Sequence, residues 1–197
     1  MNNRLNPVSI RSIMVLFIFL LVSISSQASE LKKAENFILE DYKGKSHSLT
    51  DYSDSKAIVL MFIATRCPIS NAYNSRIVKL YDDYHNKNLV FIGINSNKQE
   101  DVEEVAEHAK KNKFVFPVLK DPKNIIADKY DAQVTPEIFV LNSNLEILYH
   151  GRIDDSRRED DVKTNDLRNA LDEILAGKSV SNKETKAFGC TIKRVNK

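Results

Sequence analysis

Cys67 and Cys190 are the two cysteines of this 197-residue chain. Cys67 follows the apolar run Ile58-Val59-Leu60-Met61-Phe62-Ile63-Ala64 and opens the helical pattern Cys67-Pro68-Ile69-Ser70-Asn71-Ala72-Tyr73. A cysteine at a strand-to-helix junction meets unpaired backbone N–H groups and the positive end of a helix dipole. Both favour the thiolate, which is the form that attacks sulfur or peroxide. Lowering a thiol pKa from about 8.5 to about 6.5 turns a few per cent of thiolate at pH 7 into most of the population. Cys190 sits near the C-terminus, 123 residues on, and whether the two thiols act as a pair is the central question.

The ends of the chain set the redox context. Arg4 and Arg11 precede the apolar stretch Ile13–Ile24, and Ser26-Gln27-Ala28 is a small-x-small cleavage pattern. About a dozen apolar residues are too few to span a bilayer, so residues 1–28 are expected to be a signal peptide, with an uncleaved anchor as the alternative. The product is expected to be exported, periplasmic or secreted, without a membrane contact after cleavage. An oxidising compartment and an even cysteine count favour a disulfide over two free thiols. The net charge of +2 disappears with Arg4 and Arg11, leaving 27 basic against 27 acidic residues. A near-neutral chain argues against nucleic acid as a partner.

The elements that must position the cysteines follow from hydrophobic periodicity. Residues 37–52, with the turn Tyr42-Lys43-Gly44-Lys45, predict an N-terminal hairpin. Ala57–Ala64, Leu89–Ile94 and Phe114–Leu119 read as buried strands. Ile69, Tyr73, Ile77, Leu80 and Tyr84 mark one helix, Val102–Ala109 a second, Asn124–Tyr130 a short third, and Leu167–Leu175 a last one stopped by Gly177. Ile138–Leu141 and Glu146–Tyr149 flank the turn Asn142-Ser143-Asn144 and predict an antiparallel hairpin. The pattern predicts an α/β fold, a central mixed sheet flanked by helices. Residues 29–178 are expected to form the domain. Residues 179–197 are a polar tail whose patch Ala187-Phe188-Gly189-Cys190-Thr191-Ile192 should dock on it.

Phe62-Ile63-Ala64-Thr65-Arg66-Cys67-Pro68-Ile69-Ser70 resembles the Phe-Trp-Ala-Thr-Trp-Cys-x-x-Cys segment of exported thioredoxin-like thiol-disulfide oxidoreductases. Val134-Thr135-Pro136-Glu137-Ile138-Phe139-Val140 is similar to their cis-proline strand, and the element order resembles the redoxin branch with its alkyl hydroperoxide reductase/thiol-specific antioxidant group. The resemblance runs over about residues 34–176 and implies a thioredoxin-like fold. It implies that Cys67 is the nucleophile with Thr65 among the catalytic residues, and that Thr135 and Pro136, which present backbone to a substrate chain, and Arg66 bind the substrate. Ser70 replaces the second motif cysteine, so no local disulfide can close. Ser70 is then expected to hydrogen-bond the thiolate, and Cys190 to serve as the resolving thiol. The implied partners are protein thiols or disulfides, with small thiols or hydroperoxides as further candidates, and an unidentified reductant. No cofactor is required.

Two alternatives accompany this reading. A peroxiredoxin-like peroxidase with antioxidant activity would form a sulfenic acid at Cys67. The Pro-x-x-x-Thr-x-x-Cys pattern is not met, however, because Ala64 stands three before Cys67, and only Arg66 or Arg152 offers a cation for an oxyanion. A non-catalytic binding module would keep a purely structural Cys67–Cys190 bond. His47, His85, His108 and His150 lack metal-ligand spacing, so no metal is expected. Residues 154–161 read as a solvated charged loop, and no glycine pattern cradles a phosphate.

Overall fold

The computed structural model of the protein describes residues 32–196, so the signal-peptide reading of 1–28 lies outside the described residues. The strands are β1 Ile38–Glu40, β2 Ser46–Ser48, β3 Ala57–Phe62, β4 Leu89–Asn95, β5 Val118–Lys120, β6 Val134–Thr135, β7 Glu137–Leu141, β8 Ile147–Gly151 and β9 Cys190–Thr191. The α-helices are α1 Pro68–Asn71, α2 Asn74–Tyr84, α3 Val102–Lys111, α4 Ile125–Lys129 and α5 Asp166–Leu175.

A five-stranded mixed sheet in the order β5-β4-β3-β7-β8 forms the centre. β3 runs parallel to β4 and antiparallel to β7, with Leu60 between Ile92 and Phe139. Every residue of β3 is buried because both faces are covered. Strand alternation divides its side chains. Val59, Met61 and Ile63 join the layer of Ile77, Val105 and Leu171 from α2, α3 and α5. Ile58, Leu60 and Phe62 join Phe37, Leu49 and Ile126 on the other face. Each buried aliphatic or aromatic side chain contributes about 1.5–3 kcal/mol, so this strand anchors the residues that follow it.

The sheet has no bare edge among the described residues. Tyr42 N–H donates to Val118 O (3.3 Å) beyond β5. Beyond β8, Ile147 N–H donates to Lys32 O, and His150 exchanges backbone bonds with Lys183 and Thr185, all at 2.9 Å.

Three elements differ from expectation. Phe114–Pro117 is not ladder strand, because Pro117 cannot donate and β5 begins only at Val118. Phe114 and Phe116 still turn inward and stack at 4.9 Å. The helix expected from Ile69 to Tyr84 is broken at Ala72-Tyr73, where Tyr73 N–H bonds back to Ser70 O (3.0 Å) in a tightened turn. Asp154 is not solvated: it is 2% exposed and bonded to the buried Arg76 at 2.6 Å.

Candidate redox site

The run of β3 ends at Phe62, and the chain leaves the sheet through Ile63–Arg66 to reach Cys67, the N-cap of α1. Pro68 at the first helical position has no N–H to satisfy and a preset φ, which starts the helix directly after the cysteine. Ser70 N–H points at Cys67 Sγ (3.2 Å), the capping contact that stabilises negative charge on sulfur. Cys67 is 5% exposed.

Cys67 is bonded to Cys190, with their Cα atoms 5.9 Å apart, within the usual disulfide range. The tail reaches Cys67 as a strand. β9 pairs antiparallel with β6, Cys190 opposite Thr135 and Thr191 opposite Val134, and Ile192 N–H donates to Gln133 O at 2.9 Å. The Thr135–Pro136 peptide is cis. The Thr135 carbonyl oxygen lies 3.5 Å from Cys67 Sγ. Thus Cys67, Cys190, Thr135 and Pro136 converge at one point.

The side chains of the remaining sequence candidates surround that point without touching the sulfur. The Ser70 hydroxyl, expected to face the thiolate, accepts from Ala64 N–H instead (3.1 Å), so only the Ser70 backbone serves the sulfur. The Thr65 hydroxyl donates to Glu104. The Arg66 guanidinium forks onto the same carboxylate at 2.9 and 3.0 Å from Nε, and this pairing holds the Glu104 carboxyl below the usual range. Arg152 is engaged by Asp166 at 2.8 Å. The hydroxyl and the two cations that peroxide activation would need are therefore spent on carboxylates.

Two carboxylates that sequence reasoning missed hold the site in place. Glu100, 1% exposed, accepts from the N–H groups of Thr65 (2.9 Å) and Arg66 (3.1 Å) and from the amides of Asn95 and Asn97. It clamps the loop that delivers Cys67. Glu137, 4% exposed, accepts from Gln133 N–H (2.7 Å), Val134 N–H (3.0 Å) and His150 Nε2 (2.7 Å), and so orients β6. Burial alone would push its carboxyl up; the His150 ring and the two backbone donors outweigh that and hold it below the usual range. A charged residue at the head of an otherwise apolar strand was the available signal for Glu137. Glu100 has no such signal among its acidic neighbours Asp101, Glu103 and Glu104.

On the outer side of the loop, Asn71 donates to Thr65 O (2.8 Å) and meets His108 Nε2 at 2.8 Å. Burial depresses the His108 pKa below the ordinary imidazole value.

Known proteins resemble this chain to different extents. A hypothetical protein of Sinorhizobium meliloti 1021 superposes with a TM-score of 0.79 at 32% identity, over 85% of this chain and 95% of that one. A thiol-disulfide oxidoreductase from Bacteroides fragilis superposes with a TM-score of 0.54 at 26% identity, over 60% of this chain and 89% of that one. The thiol-disulfide oxidoreductase ResA of Geobacillus thermodenitrificans is 27% identical over 112 residues, 56% of this chain. The match spans 62% of that relative's length, under two thirds. The fold is thus thioredoxin-like. Residues 31–151 match the model of the AhpC/TSA family, and the chain belongs to that family.

Proposed function

We propose that the protein is an exported thiol-disulfide oxidoreductase in which Cys67 exchanges with partner proteins and Cys190 resolves the mixed disulfide. The observation that carries this reading is the Cys67–Cys190 bond at the N-cap of α1, against the Thr135–Pro136 turn. A cysteine at a helix start is the better-stabilised thiolate, which keeps Cys67 ionised for attack and makes it a good leaving group when the second partner thiol resolves a Cys67–partner mixed disulfide. The kinship with ResA supports the same chemistry.

The steps balance without a cofactor. The Cys67 thiolate attacks a partner disulfide; the Cys67–partner S–S bond forms and the second partner sulfur leaves as thiolate. The Cys190 thiolate then attacks Cys67 Sγ and expels the first partner sulfur. Two electrons pass from the Cys67/Cys190 dithiol to the partner, whose thiolates take protons from water. An external dithiol reductant restores the starting state, and the reverse sequence oxidises a partner dithiol. Thr135 and Pro136 present backbone to the partner, Ser70 supplies its N–H to the thiolate, and Thr65 and Arg66 lock the approach loop.

The test is to alkylate the purified protein, map the bond by mass spectrometry and titrate it against glutathione. Equilibrium near the poise of the glutathione pool supports a catalytic pair. A bond that stays closed below about −300 mV assigns it a structural role instead. Peroxide consumption by the reduced protein, at a rate above that of a free thiol, would move the assignment to the peroxidase.

A further inference from the structure

We infer that the tail occupies the groove meant for a partner, and that its own sequence is the template for what the groove accepts: an extended segment with an aromatic, a glycine, the reacting cysteine, any residue, then an aliphatic residue. This rests on the exchange reaction proposed above.

A cysteine bonded to Cys67 must place its Cα within about 4.4–6.8 Å of the Cys67 Cα. Cys190 occupies such a place at 5.9 Å. With Cys190 in place Cys67 is almost enclosed, and displacing Cys190 opens the one place shown to hold a sulfur bonded to it, which the partner cysteine in a mixed disulfide takes. The backbone within reach there is β6, which pairs with β9 and lies outside the central sheet. When Cys190 is displaced, β6 offers the ladder bonds that β9 gives up, and a partner strand in the same register recovers them.

That register reads three positions. The residue before the cysteine faces backbone: a Cβ at Gly189 would lie 2.0 Å from Thr135 O, 2.6 Å from Thr135 C and 3.2 Å from Pro136 N. Neither atom group can turn aside as a side chain would, so the groove favours glycine there over any residue with a Cβ. Two residues after the cysteine, Ile192 is 3% exposed and belongs to the core layer of Phe37, Ile94 and Ala132. Two residues before it, Phe188 meets the Tyr73 ring edge-on at 6.3 Å. Thr191 is exposed and unread. Phe188 and Ile192 pack with the layers on opposite faces of the sheet, so the segment straddles the end of the sheet and is fixed on both sides.

The experiment uses the full chain carrying Cys190→Ser, which leaves Cys67 as its single thiol and prevents tail exchange between copies. Its reduced form is mixed with acetyl-Phe-Gly-Cys-Thr-Ile-amide activated as a thionitrobenzoate disulfide. The Cys67 thiolate attacks the peptide sulfur, the Cys67–peptide bond forms, and thionitrobenzoate leaves as a coloured thiolate. Parallel reactions use a peptide with alanine in the glycine place, one with lysine in the isoleucine place, and activated cysteine alone. Any tail still docked slows all peptides equally and leaves their ratios intact. The expected result is at least a tenfold faster reaction for the glycine–isoleucine peptide than for either altered peptide. Equal rates for all peptides, with activated cysteine also reacting, overturn the template and leave the exchange reading standing. Absence of reaction with every probe, activated cysteine included, overturns the exchange reading itself. Oxidised wild-type protein running as a disulfide-linked dimer would assign the groove to a second copy's tail and overturn the partner assignment.

Discussion

Gly189→Ala tests the fit of the tail without touching either sulfur. The added Cβ would sit 2.0 Å from the Thr135 carbonyl oxygen, and the carbonyl belongs to the loop that Glu137 pins through two backbone donors. Relief must therefore come from the tail. Overpacking of this kind costs about 1–3 kcal/mol. The strain applies when the tail is held against β6 by the Cys67–Cys190 bond, and is largely released when reduction frees it. The difference enters the redox equilibrium. At about 30 mV per 1.4 kcal/mol for a two-electron couple, the variant should be about 20–65 mV more easily reduced than wild type. Glutathione titration with quantified alkylation measures this directly. Amide exchange at Ile192, whose N–H is bonded to Gln133 O at 2.9 Å, should accelerate in the same variant. A potential within about 5 mV of wild type, on that same scale, together with unchanged protection at Ile192, would refute the argument that the close approach of Gly189 is what seats the tail.

Three further outcomes are expected. Glu100→Ala strands the Thr65 and Arg66 N–H groups and two buried amides, so urea denaturation should show a loss of about 3 kcal/mol; a loss under about 0.5 kcal/mol would mean that water replaces the carboxylate fully. Arg76→Met leaves Asp154 buried with its charge uncompensated, and a drop of about 3–5 kcal/mol is expected in the same assay. Glu137 has a folded pKa held below its unfolded value of about 4.3, so its contribution is present above that pH and lost as pH falls through the folded value. Wild-type stability should accordingly fall more steeply than that of Glu137→Gln between about pH 5 and pH 3; parallel slopes would show that the carboxylate is not linked to folding.

Much of the scaffold was legible because it rests on patterns that local chemistry enforces. Continuous apolar runs marked β3 and β4, helical spacing marked α2 and α3, and Thr135-Pro136 announced the turn beside the cysteine. The pairing of Cys67 and Cys190 was legible from the even cysteine count of a chain read as exported, and its resolving role only as an implication of the missing motif cysteine. What stayed hidden depends on long-range partners. Nothing local distinguishes Glu100 from the acidic residues around it, since its role is set by N–H groups 34 and 35 positions earlier. Asp154 looked solvated within a charged run because its partner Arg76 lies 78 residues away. Ser70 was placed by type, whereas the direction of its hydroxyl follows from the path of Ala64. Phe114–Pro117 carried a strand's side-chain alternation but not its donors.

The tail does more than deliver a thiol. Its first section, Lys183–Thr185, is bonded to His150 on β8 through backbone contacts that do not involve Cys190. An open strand border invites pairing with another molecule, and here that border is closed by residues 32–34 at one end of β8 and by the tail at the other. Opening the disulfide therefore need not unseal the sheet. Beyond Cys190 the tail is held a second time, Lys193 N–H donating to Asn97 Oδ1 and Val195 N–H to Asn124 Oδ1, both at 2.7 Å, so Cys190 lies between two anchors and stays within a few residues' reach of Cys67. Such tethering corresponds to a millimolar local concentration of thiol. A mixed disulfide at Cys67 accordingly faces a standing intramolecular competitor, which limits how long any partner stays attached.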